Sequence, residues 1–111
     1  MLSGIIFGGD AIVSFDIQRF VSKYHKVVNI SKKAIWSSSK ILPPGADFFI
    51  IDTDFHDGQE LQYIFNNLNI NTETKIIALT SQPYKLRYPF HCQHTITKPI
   101  NYKLLLQAIE T

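Results

Sequence analysis

The chain has 111 residues, 45% hydrophobic and 18% charged, the make-up of one globular domain able to bury its own core. A formal net charge of +2, spread over scattered lysines with no run of like charge, argues against direct nucleic-acid contact. One cysteine, Cys92, excludes an internal disulfide, and no apolar run reaches the ~18 residues of a membrane span, so a cytoplasmic domain without membrane contact is expected.

Strand-length apolar bursts alternate with helix-length stretches. Leu2 to Phe7 is the first burst, closed by Gly8-Gly9. Asp10 is placed to cap a helix over 10–23, with Ile12, Val13, Phe15, Ile17, Phe20 and Val21 at roughly helical spacing. Lys26 to Ile30 is a short β-branched burst. Ser31 then opens a second helix through about Ile41, carrying Trp36, and Pro43-Pro44-Gly45 breaks it. Phe48 to Ile51 is apolar without alternation, as expected of a parallel strand covered on both faces, and it ends at Asp52. A polar loop from Thr53 to Asp57 leads to Gly58 and a third helix with Leu61, Ile64, Phe65 and Leu68. Lys75 to Leu79 and His94 to Thr97 are the fourth and fifth bursts. Pro83 and Pro89 between them leave a fourth helix shortened or irregular. Tyr102 to Ile109 forms the last helix, apolar enough to offer a dimer face besides its core side.

This order predicts an α/β domain spanning residues 1–111. Its expected architecture is a doubly wound, flavodoxin-like, five-stranded parallel sheet with helices on both faces. Such sheets bind and react beyond the carboxyl ends of their strands. That rule selects Gly8 to Asp10, Asp52 to Asp57, Thr80, Ser81, Lys98 and Pro99.

Three of these positions form a recognisable set. Asp52 follows Asp47-Phe48-Phe49-Ile50-Ile51, Thr80 closes Ile76-Ile77-Ala78-Leu79, and Lys98 sits in Thr97-Lys98-Pro99-Ile100. Over nearly its whole length the chain resembles the CheY-like receiver domain of two-component response regulators. The resemblance implies that Asp52 is the phosphoacceptor, an ionised carboxylate being able to attack phosphorus. It implies that Thr80 and Lys98 contact the phosphoryl group. A cis peptide at Lys98-Pro99 and a partner, either a histidine kinase or an output protein, are further implications.

The departures from that family bear on chemistry. Receivers hold Mg²⁺ with an acidic pair after the first strand, where this chain has Gly8-Gly9. Mg²⁺ needs oxygen ligands and commonly takes one or two carboxylates. A unit-charge pair at 4 Å is worth ~4 kcal/mol at an effective dielectric of 20, so two missing carboxylates predict weak Mg²⁺ binding. Asp10, Asp54 and Asp57 are the substitute ligands on offer. Gly58 follows Asp52 sooner than is usual, without the customary proline, and Thr95 stands where receivers carry an aromatic switch residue. Tyr84, Tyr88, Phe90 and Tyr102 are candidates for an interaction surface.

Three functions compete: an atypical receiver working through protein contacts with impaired phosphorylation, a phosphorylatable receiver using a rearranged metal site, and a small flavodoxin-like enzyme or ligand binder. The third lacks a nucleophile–base pair. Gly4 and Gly9 are followed by Asp10 where a phosphate-binding loop needs lysine, and His91, Cys92 and His94 do not have zinc-site spacing. His25 and His56 are isolated, His56 lying within the loop after Asp52.

Overall fold

A computed structural model describes residues 1–30, 46–67, 73–82 and 94–111. Within them run β1 (Ser3–Phe7), α1 (Ala11–Val21), β2 (Lys26–Ile30) and β3 (Phe48–Asp52). A 3-10 turn (Thr53–Phe55), α2 (Gly58–Asn67), β4 (Lys75–Thr80), β5 (His94–Thr97) and α3 (Tyr102–Glu110) complete the order. The second and fourth helices expected from sequence, with Trp36, Tyr84, Tyr88, Phe90, His91 and Cys92, lie outside the described residues. Among those described, no helix is long and apolar enough to cross a membrane.

All strand pairings are parallel and the sheet order is β2-β1-β3-β4-β5, the flavodoxin-like arrangement. β3 is central and buried at every position, which explains its unbroken apolar run. Alternate residues supply two cores. Phe48 and Ile50 face α1 and α3 with Ile17, Val21, Leu105 and Ile109. Phe49 and Ile51 face α2 with Leu61 and Ile64. Each such side chain contributes about 1.5–3 kcal/mol on burial.

Helix starts are fixed by side-chain caps. The Asp10 carboxylate accepts from the N–H groups of Ile12 (2.9 Å) and Val13 (3.5 Å), and Asn101 does the same for Lys103 and Leu104. Asp57 and Glu60 form a reciprocal capping box: Glu60 N–H donates to Asp57 Oδ1 at 2.8 Å and Asp57 N–H to Glu60 Oε1 at 3.4 Å. The apolar pattern of α1 overstates its buried face. Ile12 and Phe15 are 74% and 57% exposed, because Ser14, with Ile17 and Val21, takes the inward positions.

His25 joins both ends of the chain. Its Nδ1 accepts from Leu2 N–H at 3.1 Å, its Nε2 lies 3.2 Å from a Glu110 carboxylate oxygen, and its ring stands edge-on to Phe48.

Candidate functional site

The parallel sheet delivers Asp52, Thr80 and Lys98 to one end. Asp52 is the last residue of β3 and Thr80 the last of β4. Lys98 follows β5, its N–H continuing the ladder to Thr80 O at 2.8 Å. The Lys98-Pro99 peptide is cis.

The Asp52 side chain is only 3% exposed and is gripped by one cation. Lys98 Nζ lies 2.8 and 2.9 Å from its two carboxylate oxygens. The same ammonium reaches Asp54 Oδ2 at 3.0 Å. Asp52 also accepts from Asp54 N–H at 3.2 Å, which starts the 3-10 turn from which the Asp54 side chain reaches Lys98 and Ser81. Burial works to raise the Asp54 carboxyl and to lower the Lys98 ammonium. The lowering contacts together outweigh it in Asp54, those from Lys98 first and Ser81 second, and the raising contacts together outweigh it in Lys98, those from Asp52 first and Asp54 second. Asp54 therefore sits below the usual carboxylate range and Lys98 above the usual lysine range.

Asp54 takes three further donated contacts. Ser81 N–H stands 3.2 and 3.1 Å from its two oxygens, and the Thr80 hydroxyl donates at 3.5 Å. Thr80 Oγ1 in turn accepts from Gln82 N–H at 3.0 Å. Thr53 anchors the turn beneath through its hydroxyl, bonded to Leu79 O at 2.8 Å.

Two residues at this site make contacts that the sequence reading missed. Phe55 places its ring 5.3 Å from Lys98 Nζ, within cation–π range, and its Cβ lies where a side chain on Gly9 would begin. His56, expected in the loop after Asp52 but without a partner, is buried, with Nε2 3.3 Å from Phe7 O and Nδ1 3.4 Å from Glu60 Oε2. It braces the loop against the end of β1. The Asp57-x-x-Glu60 spacing was the sequence signal for this bracing, since it announces a capping box. Phe55 had no such signal, because its partner Gly9 comes from a distant strand end.

The donor set does not fit Mg²⁺. Asp10 and Asp57, the substitute ligands expected from sequence, serve as helix caps. Asp54 is committed to Lys98 and Ser81. A Cβ on Gly8 would meet Ser14 Oγ at 1.8 Å, and one on Gly9 would meet Phe55 Cβ at 2.0 Å, so carboxylates cannot be regained there without movement. Among the described residues no three His, Cys, Asp or Glu side chains are grouped to hold a metal ion.

Gly9→Asp is therefore expected to lower stability by about 1–3 kcal/mol through overpacking, with most of that recovered in Gly9→Asp/Phe55→Gly, which removes the Cβ that stands 2.0 Å from the new side chain. Urea unfolding of both variants and of Phe55→Gly measures it; additive losses would show that Phe55 does not block position 9. Tyr102, expected at an interaction surface, is half-buried against Phe20, their ring centroids 5.0 Å apart. Its remaining face lines a cleft of about 330 Å³ with Val13, Asp16, Lys98, Pro99 and Ile100.

Neither family models nor curated proteins match this sequence. Solved structures do match in shape. A CheY-like response regulator receiver domain from Methylobacillus flagellatus superposes with a TM-score of 0.71 at 16% identity, over 98% of both chains. A response regulator receiver modulated diguanylate cyclase from Pelobacter carbinolicus gives 0.70 at 18% identity, over 99% of this chain and 90% of the other. The anti-anti-sigma factor PhyR from Bartonella quintana gives 0.67 at 18% identity, over 98% of this chain and 45% of PhyR. The fold is that of CheY-like receiver domains.

Proposed function

We propose that the chain is an atypical receiver module of two-component signalling, acting through protein–protein contacts, with Mg²⁺-dependent phosphorylation of Asp52 impaired. One observation carries this reading: the Lys98 ammonium is held by both Asp52 and Asp54, beside glycines whose side-chain space is filled by Ser14 and Phe55.

The reasoning is electrostatic. To accept a phosphoryl group, an Asp52 oxygen must leave Lys98 and form a bond to phosphorus as the bond to the donor nitrogen breaks. Negative charge on the peripheral phosphoryl oxygens then needs neutralising, which is the main task of such sites. Here one ammonium already serves two carboxylates, so the cluster is net negative and repels a phosphodonor. What the module keeps is shape, with a histidine kinase or an output protein as the partner class and the cytoplasm as its compartment. The competing reading, a phosphorylatable receiver, is favoured by the convergence of Asp52, Thr80 and Lys98.

Incubation with Mg²⁺ and a small phosphodonor, followed by intact-mass measurement, separates the two. Little or no gain of one phosphoryl mass is expected. Stoichiometric phosphorylation that disappears in Asp52→Ala would overturn the proposal.

A further inference from the structure

We infer that Asp54 is an internal stand-in for an oxyanion: its carboxylate fills an anion subsite made by Lys98 Nζ, the Ser81 N–H and the Thr80 hydroxyl, which would otherwise take a phosphate-class ligand beside Asp52. This rests on reading the Asp52 crevice as a receiver site, and it assigns the role of one residue within it.

The donors are of mixed origin and share one target. Ser81 N–H and the Thr80 hydroxyl come from the end of β4, and the ammonium follows β5. A cation, a backbone amide and a hydroxyl converging on one point is the donor chemistry that binds oxyanions. The point they meet is a carboxylate from the same chain, delivered by a turn that Asp52 itself caps.

Depth supports the assignment. The Asp52 side chain is 3% exposed and that of Asp54 25%, so Asp54 is the more solvent-facing of two carboxylates that share one ammonium. An oxyanion approaching from solvent competes with Asp54 for the same donors and meets its charge. Asp54 thereby couples the end of β4 to Lys98 without any ligand.

The test is metal-free and non-covalent. Inorganic phosphate is titrated into Asp52→Asn and into Asp52→Asn/Asp54→Ala while the Ser81 and Gln82 amide signals are followed by NMR. Asparagine at 52 keeps an acceptor for the turn and removes the neighbouring charge. The double variant is expected to show saturable shifts at Ser81, at a phosphate concentration at least tenfold below that needed by the single variant. Equal responses, or a folded double variant whose Ser81 amide does not move, would overturn the inference. Should Asp54→Ala disturb the turn, Asp54→Asn in the same background must still bind phosphate more tightly than Asp52→Asn alone, and failure to do so is equally fatal. Phosphorylation of the unmodified chain would instead defeat the impaired-receiver reading, a separate outcome read by mass.

Discussion

Lys98→Met is expected to lower the unfolding free energy at neutral pH by about 3 kcal/mol, the lower end of the roughly 3–5 kcal/mol for removing one partner of a buried ion pair. The lower end applies because the Lys98 side chain is 19% exposed, leaving water some access to the aspartates. The loss has little to do with the attraction that disappears. It comes from what remains: a carboxylate at Asp52, nearly sealed from solvent, facing a second at Asp54 with no cation between them. Asp52→Asn in the Lys98→Met background removes one of those charges at nearly constant shape, and should recover most of the loss. A double variant no more stable than Lys98→Met would show that the ammonium acts through packing, its stem and the Phe55 contact, rather than through charge.

The pH dependence follows from the same cluster. The folded-state pKa of Asp54 is held below its ordinary value of 3.8, so its contribution is present above that value and fades as pH falls through the depressed one. That of Lys98 is raised above 10.5, so its contribution is complete below that value and fades as pH climbs through the raised one. Wild-type chain therefore has both slopes and a plateau between them. Lys98→Met lacks the cluster, and the stability gap between the two proteins should narrow at either end. Urea unfolding at neutral pH and below 3.8 checks the acid arm; a constant gap would contradict it.

Much of the fold was legible because burial on both faces writes itself into β3 as Phe48-Phe49-Ile50-Ile51, a run that alternation rules do not produce on a half-exposed strand. Lys26–Ile30 and His94–Thr97, edge strands with mostly exposed or half-buried residues, were delimited by their flanks instead. The positions of Asp52, Thr80 and Lys98 were legible as strand ends. Their hydrogen bonding was not, because distance between strand ends is a tertiary property. Asp54 shows this well. In sequence it is one more acid in a polar loop, a candidate metal ligand. In space a single turn folds it back onto Lys98 and the Ser81 amide. Phe55 is similar: its relation to Gly9 joins β1 to the loop after β3, and no periodicity encodes that. Ile12 and Phe15 mislead in the opposite sense, since apolar spacing on a short helix marks a wider face than the sheet covers.

Phe48→Ala is the substitution expected to weaken the scaffold most, by about 3–5 kcal/mol, a large share of the roughly 5–15 kcal/mol that keeps domains folded. Phe48 is 0% exposed and pairs with Gly4 across β1 and β3. Its ring lies over that glycine so closely that a Cβ on Gly4 would fall 2.1 Å from Phe48 Cε2. The glycine is therefore required by the ring, and the ring fills the space the glycine leaves beneath His25. Gly4→Ala alone should cost about 1–3 kcal/mol by overpacking. Combined with Phe48→Ala, the added methyl enters the cavity instead of a ring, so the double variant should lose less than the two single losses together, by about 0.5–3 kcal/mol of coupling. The effect reaches function because β3 holds Asp52 in register with Thr80 through the pairs Phe48–Lys75 to Asp52–Leu79. A strand loosened at its start cannot hold the carboxylate at its end within 3 Å of Lys98 Nζ. Urea unfolding of the four proteins in this cycle decides the matter: strict additivity would mean that Gly4 and Phe48 do not share one space, and that the close approach of β1 to β3 has some other cause.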